Sequence, residues 1–204
     1  MEERKMNRSL KKLGALLCLL AFVLTGCGSP SQENKVTPLS LSQDQKELLG
    51  YLGLNNTAMF YTLQTPENAL SLSVNCYALQ DGQWADNGGG SISWDSPDAQ
   101  GPQDPVVSLV YREDRTFDVA IHAQGTSSFR SKPVESSSDL MSFSQAWLTE
   151  DREIQLDQEI PVALFVGDDG TSLRSFTVDS FFTPEEFQDY AMVQAVTFTF
   201  SAQE

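Results

Sequence analysis

The sequence predicts an all-β protein: an antiparallel β-sandwich, or a closed barrel, of about nine short strands. One short N-terminal helix and one helical turn near 184–190 complete it. Three observations predict this fold. Apolar residues recur at period two in several segments, most clearly at Leu70, Leu72, Val74, Cys76 and Ala78. Strong reverse-turn pairs separate such segments, Asp81-Gly82 and Asp168-Asp169-Gly170 among them. Finally, the long helical crossovers that parallel strands need are missing, so the strands must run antiparallel.

The elements follow in order. Ser42 and Gln45 have the spacing of a capping box, and Leu48, Leu49 and Leu52 follow at helical spacing. A helix over about 43–52, ended by Gly50 or Gly53, is expected. Met59 to Leu63 is a strand, and residues 70–78 form the next. Gln83-Trp84 begins its return, Gly88-Gly89-Gly90 reads as a loop, and Ser91 to Trp94 is a further short strand. Residues 95–105 combine Asp, Pro, Gly and Gln and favour irregular backbone. Val106–Arg112 and Thr116–Ala123 form the clearest hairpin, turning at Glu113-Asp114-Arg115, with Phe117, Val119, Ile121 and Ala123 expected to face inward. Residues 125–138 read as a polar loop. Weak alternation from Leu140 to Leu148 suggests a strand, and Ile160, Val162, Leu164 and Val166 make another, with Pro161 at its start. Phe176, Val178, Ser180 and Phe182 alternate as a return strand. Thr183-Pro184-Glu185-Glu186 has the composition of a helix start. Met192–Ser201 closes the sheet and buries Val196, Phe198 and Phe200.

The N-terminus has a different character. Arg4, Lys5, Arg8, Lys11 and Lys12 precede an unbroken apolar run of twelve residues, Leu13–Leu24. A bilayer-spanning helix needs about 20 residues, and a basic patch, a short apolar core and then small residues form an export signal. Glu2 and Glu3 are unusual before such a core, and a start at Met6 would remove them. Leu24-Thr25-Gly26-Cys27 resembles the lipobox of bacterial lipoproteins: aliphatic, small, Gly or Ala, then Cys. The resemblance covers residues 1–28. It implies that the Cys27 thiol is alkylated by a diacylglycerol and that a peptidase cuts after Gly26. Residues 1–26 would then be a signal peptide, 27–41 a flexible tether and 42–204 a single β-rich domain. Two or more acyl chains, such as palmitate, hold a protein stably to a membrane. The expected location is therefore extracytoplasmic, lipid-anchored through Cys27.

Composition narrows the partners. The chain has 13 Lys/Arg and 28 Asp/Glu; residues 1–26 carry five and two of them, leaving eight and 26 and a net charge of about −18 in the remaining 178 residues. Such a surface repels nucleic acid and anionic lipid, so no nucleic-acid partner is expected. With Cys18 removed and Cys27 lipidated, Cys76 is the remaining thiol, and no internal disulfide can form.

No residue set calls for a cofactor. His122 is the single imidazole, on the polar side of a strand with Asp118. A Ser-His-Asp set would need it, but a surface role accounts for it, and no Gly-x-Ser-x-Gly elbow occurs. A closed zinc site needs four Cys or His, and with Cys18 removed and Cys27 lipidated only Cys76 and His122 are left. Carboxylates near Asp95, Asp98, Asp168 and Asp169 suit turns as well as calcium, so no metal is assigned. Trp84 and Trp94 flank the glycine run and are the candidate ligand-stacking pair, with core burial as the alternative. Arg130 and Lys132, the one close basic pair of the domain, can grip an anion or simply be solvated. The reading that results is a non-enzymatic, lipid-anchored domain that binds a ligand or an envelope protein, peptide or glycan. Its alternatives are a structural or assembly lipoprotein without a small ligand, and a hydrolase working through acidic residues.

Overall fold

The computed structural model describes residues 34–94, 105–123, 125–136 and 139–202. The lipobox with Cys27, the first part of the expected tether and residues 95–104 lie outside them.

Eleven strands form two separate antiparallel sheets, so the sandwich is the architecture and the closed barrel is not. The first sheet has β1 (Lys35–Pro38), β2 (Ala58–Gln64), β5 (Val106–Tyr111), β6 (Phe117–His122), β7 (Thr126–Arg130) and β9 (Arg152–Glu153), in the order β7-β6-β5-β2-β1-β9. The second has β3 (Ser71–Gln80), β4 (Gln83–Ser93), β8 (Ser142–Trp147), β10 (Glu159–Asp168) and β11 (Met192–Ser201), in the order β4-β3-β11-β10-β8. Among the described residues no helix is long and apolar enough to cross a membrane.

The core fills the space between the sheets. Tyr61, Leu63, Leu109, Phe117 and Ile121 from one sheet meet Leu72, Val74, Phe165, Phe198 and Phe200 from the other. The Tyr61 hydroxyl crosses the gap and donates to the Val162 carbonyl at 2.9 Å. This satisfies a phenol that would otherwise be costly to bury. A second apolar cluster covers the outer face of the second sheet: Leu164, Val166, Val193 and Ala195 pack against Phe181 and Phe187. With both faces covered, β10 and β11 are buried almost throughout. Two-sided burial of this kind selects continuous apolar runs over clean alternation.

The helix α1 spans Gln43–Tyr51 and starts as expected: Ser42 Oγ accepts from the Gln45 amide, and Gln45 Oε1 accepts from the Ser42 amide at 2.8 Å. Its end is a Schellman turn. Gly53 takes φ +71° and donates to Gly50, while Leu54 donates to Leu49. No residue of α1 is buried.

Four expectations are corrected. The tether does not extend to residue 41, because Lys35–Pro38 pairs with both β2 and β9. The glycine run is not a loop but the middle of β4, bulged where the register against β3 shifts between Asn75 and Tyr77. Residues 126–130, expected in a loop, are the edge strand β7, joined to β6 through backbone bonds with Phe129 as its one large apolar side chain. Residues 176–182 are not a strand: Val178–Phe182 is a 3-10 turn that buries Val178 and Phe181 three apart, followed by a second 3-10 turn at Pro184–Phe187.

Candidate functional site

The two tryptophans do not form one site. They stand at the two ends of β4, roughly 30 Å apart at strand rise, and on opposite faces. Trp84 stacks on Phe181 at 5.0 Å and donates its indole N–H to the Phe181 carbonyl at 2.8 Å. Trp94 packs against the inter-sheet core and donates to the Ala69 carbonyl. Each is half-buried with its N–H satisfied inside the protein, so the ligand-stacking pair is replaced by two structural rings. Each clamps a different cluster.

The cleft that the fold does build lies at one end of the sandwich and encloses about 920 Å³. Its walls come from five separate segments: the Schellman turn after α1 (Leu52, Gly53, Leu54), Thr57, the β5–β6 turn (Tyr111 to Arg115), Arg130 at the end of β7, and Leu140, Phe143 and Gln145 at β8. Gln145 Nε2 donates to the Asn56 carbonyl at 2.9 Å and ties β8 to the α1–β2 corner. The floor is aromatic. Tyr111 stacks on Phe143 at 5.7 Å and sits 4.3 Å from Phe165 below it.

Gln194 anchors the floor from the core. It is completely buried on β11, accepts from the Tyr111 hydroxyl at 3.0 Å, and donates to the Arg115 carbonyl at 3.0 Å. The turn thereby holds Arg115 at φ +63°, a backbone conformation few side chains adopt. Burial raises the Tyr111 phenol above its ordinary value, against which the Arg115 charge works. The hydroxyl therefore stays a donor to Gln194.

Three of the eight basic residues of the domain, Arg112, Arg115 and Arg130, line this cleft. Arg112 Nε and Arg130 Nε share one carboxylate, Asp118, at 2.6 and 2.5 Å. Arg115 makes no ion pair among the described residues. Glu113 and Asp114 also line the cleft, but they are neighbours on one turn, and Thr116 donates to Asp114 through both N–H and hydroxyl.

The Arg130 hydrogen bond, followed by those of Arg112, holds the Asp118 carboxyl below its usual range despite partial burial. A depressed folded-state pKa adds stability above the unfolded value, near 4. That stability is lost as pH falls through the folded value. Asp118→Asn is therefore expected to melt below the parent at pH 7 and to converge with it as pH drops below about 4. Thermal melts from pH 7 to pH 2 check this, and a constant gap between the two proteins would refute it.

The other sequence candidates lie elsewhere. His122 is exposed on β6, its ring nitrogens 3.4 Å from Ser108 Oγ and 3.2 Å from Thr126 Oγ1. Ser108 and His122 are thus adjacent, yet the second ring nitrogen meets a hydroxyl and not the carboxylate that a triad requires. Cys76 is buried between the sheets, where burial, with the Asp86 charge adding, pushes its thiol up to about 12. At neutral pH it is a small apolar side chain rather than a nucleophile. Among the described residues no group of three or more His, Cys, Asp or Glu is placed to hold a metal ion.

The cleft is not legible in the sequence, where Arg130 is the one cleft residue among the candidate binding groups. Two local signals pointed toward it. Gln194 interrupts the apolar run Met192–Val196, and Arg112 and Arg115 bracket the turn of the clearest hairpin. Comparison with protein-family models, curated proteins and solved structures finds no match to this chain.

Proposed function

We propose that this chain is a lipid-anchored extracytoplasmic protein whose β-sandwich binds a ligand or envelope partner, without catalysing a reaction, at the arginine-lined end of the sandwich. The anchor rests on the Leu24-Thr25-Gly26-Cys27 motif at the end of an export signal. The binding role rests on one observation. The cleft joins an apolar and aromatic wall (Leu52, Leu54, Tyr111, Phe143) to three guanidiniums, of which that of Arg115 makes no ion pair among the described residues. Pockets lined by apolar surface with a few convergent polar groups are the usual form of a binding site.

A structural or assembly role is the second reading. Leu48, Tyr51, Leu52, Met141 and Phe143 are all exposed, at 46–84% of their full area. Apolar groups left in water near one another mark protein-contact surfaces.

Two measurements test the proposal. Mass spectrometry of the full chain expressed in a bacterium is expected to find residues 1–26 removed and a diacylglyceryl group on Cys27. Cys27→Ala is expected to abolish membrane attachment. An unmodified Cys27, or a retained signal, overturns the anchor. A thermal-shift screen of sugars, peptides and small carboxylates against the full chain is expected to give a stabilising compound whose effect Arg115→Asn removes. No shift, or shifts indifferent to that substitution, overturns the binding site.

A further inference from the structure

The strand beside the cleft is an open edge. β8 ends its sheet, and it pairs with β10 in the register Ser144↔Val166, Ala146↔Leu164. Leu148 donates to Val162 in that same register. Antiparallel pairs alternate between bonded and non-bonded positions, so the even-numbered residues of β8 face β10. The N–H and C=O groups of Phe143 and Gln145 face away from it, and among the described residues they have no backbone partner.

The other sheet edges are managed. β9 is two residues long. At the β4–β7 side the edges are joined: the Lys132 amide donates to the Asn87 carbonyl at 2.9 Å, and Phe129 lies against Gly90. β8 lacks the sequence devices that protect many edges. Its six residues, Ser-Phe-Ser-Gln-Ala-Trp, include no charge and no proline. Phe143, 46% exposed, and Met141, 68% exposed, leave apolar surface at its start.

We propose that the β8 edge and the arginine end of the cleft together take an extended peptide segment of a partner protein, paired backbone to backbone with Phe143 and Gln145 and held by a carboxylate side chain on Arg115. The inference rests on the reading of the cleft as a binding site and names its ligand class. Strand addition supplies affinity through main-chain bonds and specificity through alternate side chains. Here Phe143 and Gln145 face the cleft, so every second residue of an added strand lies over it. One such residue meets the apolar wall at Leu52 and Phe143, and another reaches the guanidiniums. Charge bears on the partner: among the described residues Arg115 makes no ion pair, although Glu113 and Asp114 share its turn, and Arg112 and Arg130 both pair with Asp118. A second copy of the chain fits worse, because β8 itself carries no carboxylate to offer and two strongly acidic domains repel each other.

The test uses the full chain and two synthetic peptides, acetyl-Val-Glu-Val-Glu-Val-Glu-Val-amide and the same sequence with Lys in place of Glu, read by fluorescence anisotropy. The acidic peptide is expected to bind about tenfold or more tightly than the basic one. Arg115→Asn, which tolerates the positive φ, is expected to weaken it by a similar factor. Gln145→Pro removes an amide that points away from β10, and is expected to abolish binding. Gln145→Ala loses the same side-chain bond to Asn56 but keeps the amide, and is expected to bind the acidic peptide more tightly than Gln145→Pro does. Equal binding of both peptides, binding of neither, or binding unchanged in Gln145→Pro overturns the proposal. Should Gln145→Pro fail to fold, the peptide pair and Arg115→Asn still decide. Self-association that the acidic peptide does not displace assigns the edge to a second copy and also overturns it. If citrate or inorganic phosphate binds in an Arg115-dependent way while the peptide does not, this inference fails and the cleft stands as a binding site.

Discussion

Phe165→Ala is expected to destabilise the domain by about 3–5 kcal/mol, the range for removing a buried phenyl ring. Phe165 is fully buried on β10 and is the hub of the aromatic floor. Its ring contacts Tyr111 at 4.3 Å, Trp147 at 5.0 Å, Phe117 at 5.1 Å and Phe143 at 5.6 Å. Four rings that meet a fifth cannot all collapse into the space it leaves, so most of the cavity would remain. Chemical denaturation should show a lower midpoint with an unchanged slope. The change also reaches the cleft, because Tyr111 and Phe143 form its floor. Any ligand of the cleft should bind the variant more weakly, even under conditions where it is fully folded. A loss below about 1 kcal/mol would mean that the rings repack and that the floor is not rigid.

Gly89→Ala is expected to cost about 1–3 kcal/mol, the range for overpacking, and to act at the β4 edge of the second sheet. A Cβ on Gly89 would lie 2.6 Å from the Val74 carbonyl oxygen and 3.3 Å from the Asn75 Cα. Both are backbone atoms, so no rotamer change relieves the clash, and β3 and β4 must separate. The neighbouring glycine provides the contrast. A Cβ on Gly90 would meet the Phe129 ring, a side chain that can turn aside. Gly90→Ala is therefore expected to cost less overall while loosening the contact between β4 and β7. Hydrogen exchange at the β4 amides separates the two cases. Fast exchange should run along the β3–β4 ladder in Gly89→Ala, whereas protection should persist there in Gly90→Ala. Wild-type stability in Gly89→Ala would show that the strands can shift at no cost.

These two positions show where the sequence was legible and where it was not. Gly89 and Gly90 looked like a loop because glycine has no side chain to display period two. Their reason for being there is Val74 on one side and Phe129, forty residues away, on the other, and neither relation appears in a local window. The same blindness hid β1 and β7. Both are held by backbone bonds to a neighbouring strand, which leave little trace in side-chain pattern. The return strand expected at 176–182 failed for the opposite reason. Phe176, Val178, Ser180 and Phe182 do alternate, but Val178 and Phe181 are also three apart. The bare outer face of β10 and β11 needed a cover, and that need favoured the 3-10 spacing.

The cleft was the least legible feature. Leu52, Arg115, Arg130 and Phe143 come from four segments joined only through strand order. Arg130 and Lys132 drew notice because they are neighbours in the chain. Arg112 and Arg115 joined Arg130 through the pairing of β5, β6 and β7. The tryptophans illustrate the converse: ten residues apart with glycines between, they seemed close, and a continuous strand set them far apart.

The amino-acid order alone determined what depends on neighbours within a few residues. The capping box at Ser42, the turn at Arg115, the period-two runs of β3 and β6, and the strongly acidic charge are of this kind, because each follows from local backbone chemistry or from counting. Tertiary structure alone decided which strands share a sheet, which face of the second sheet needed a second cover, and which charges meet at the end of the sandwich. Those outcomes depend on burying apolar surface between segments distant along the chain, and no local pattern encodes such pairings.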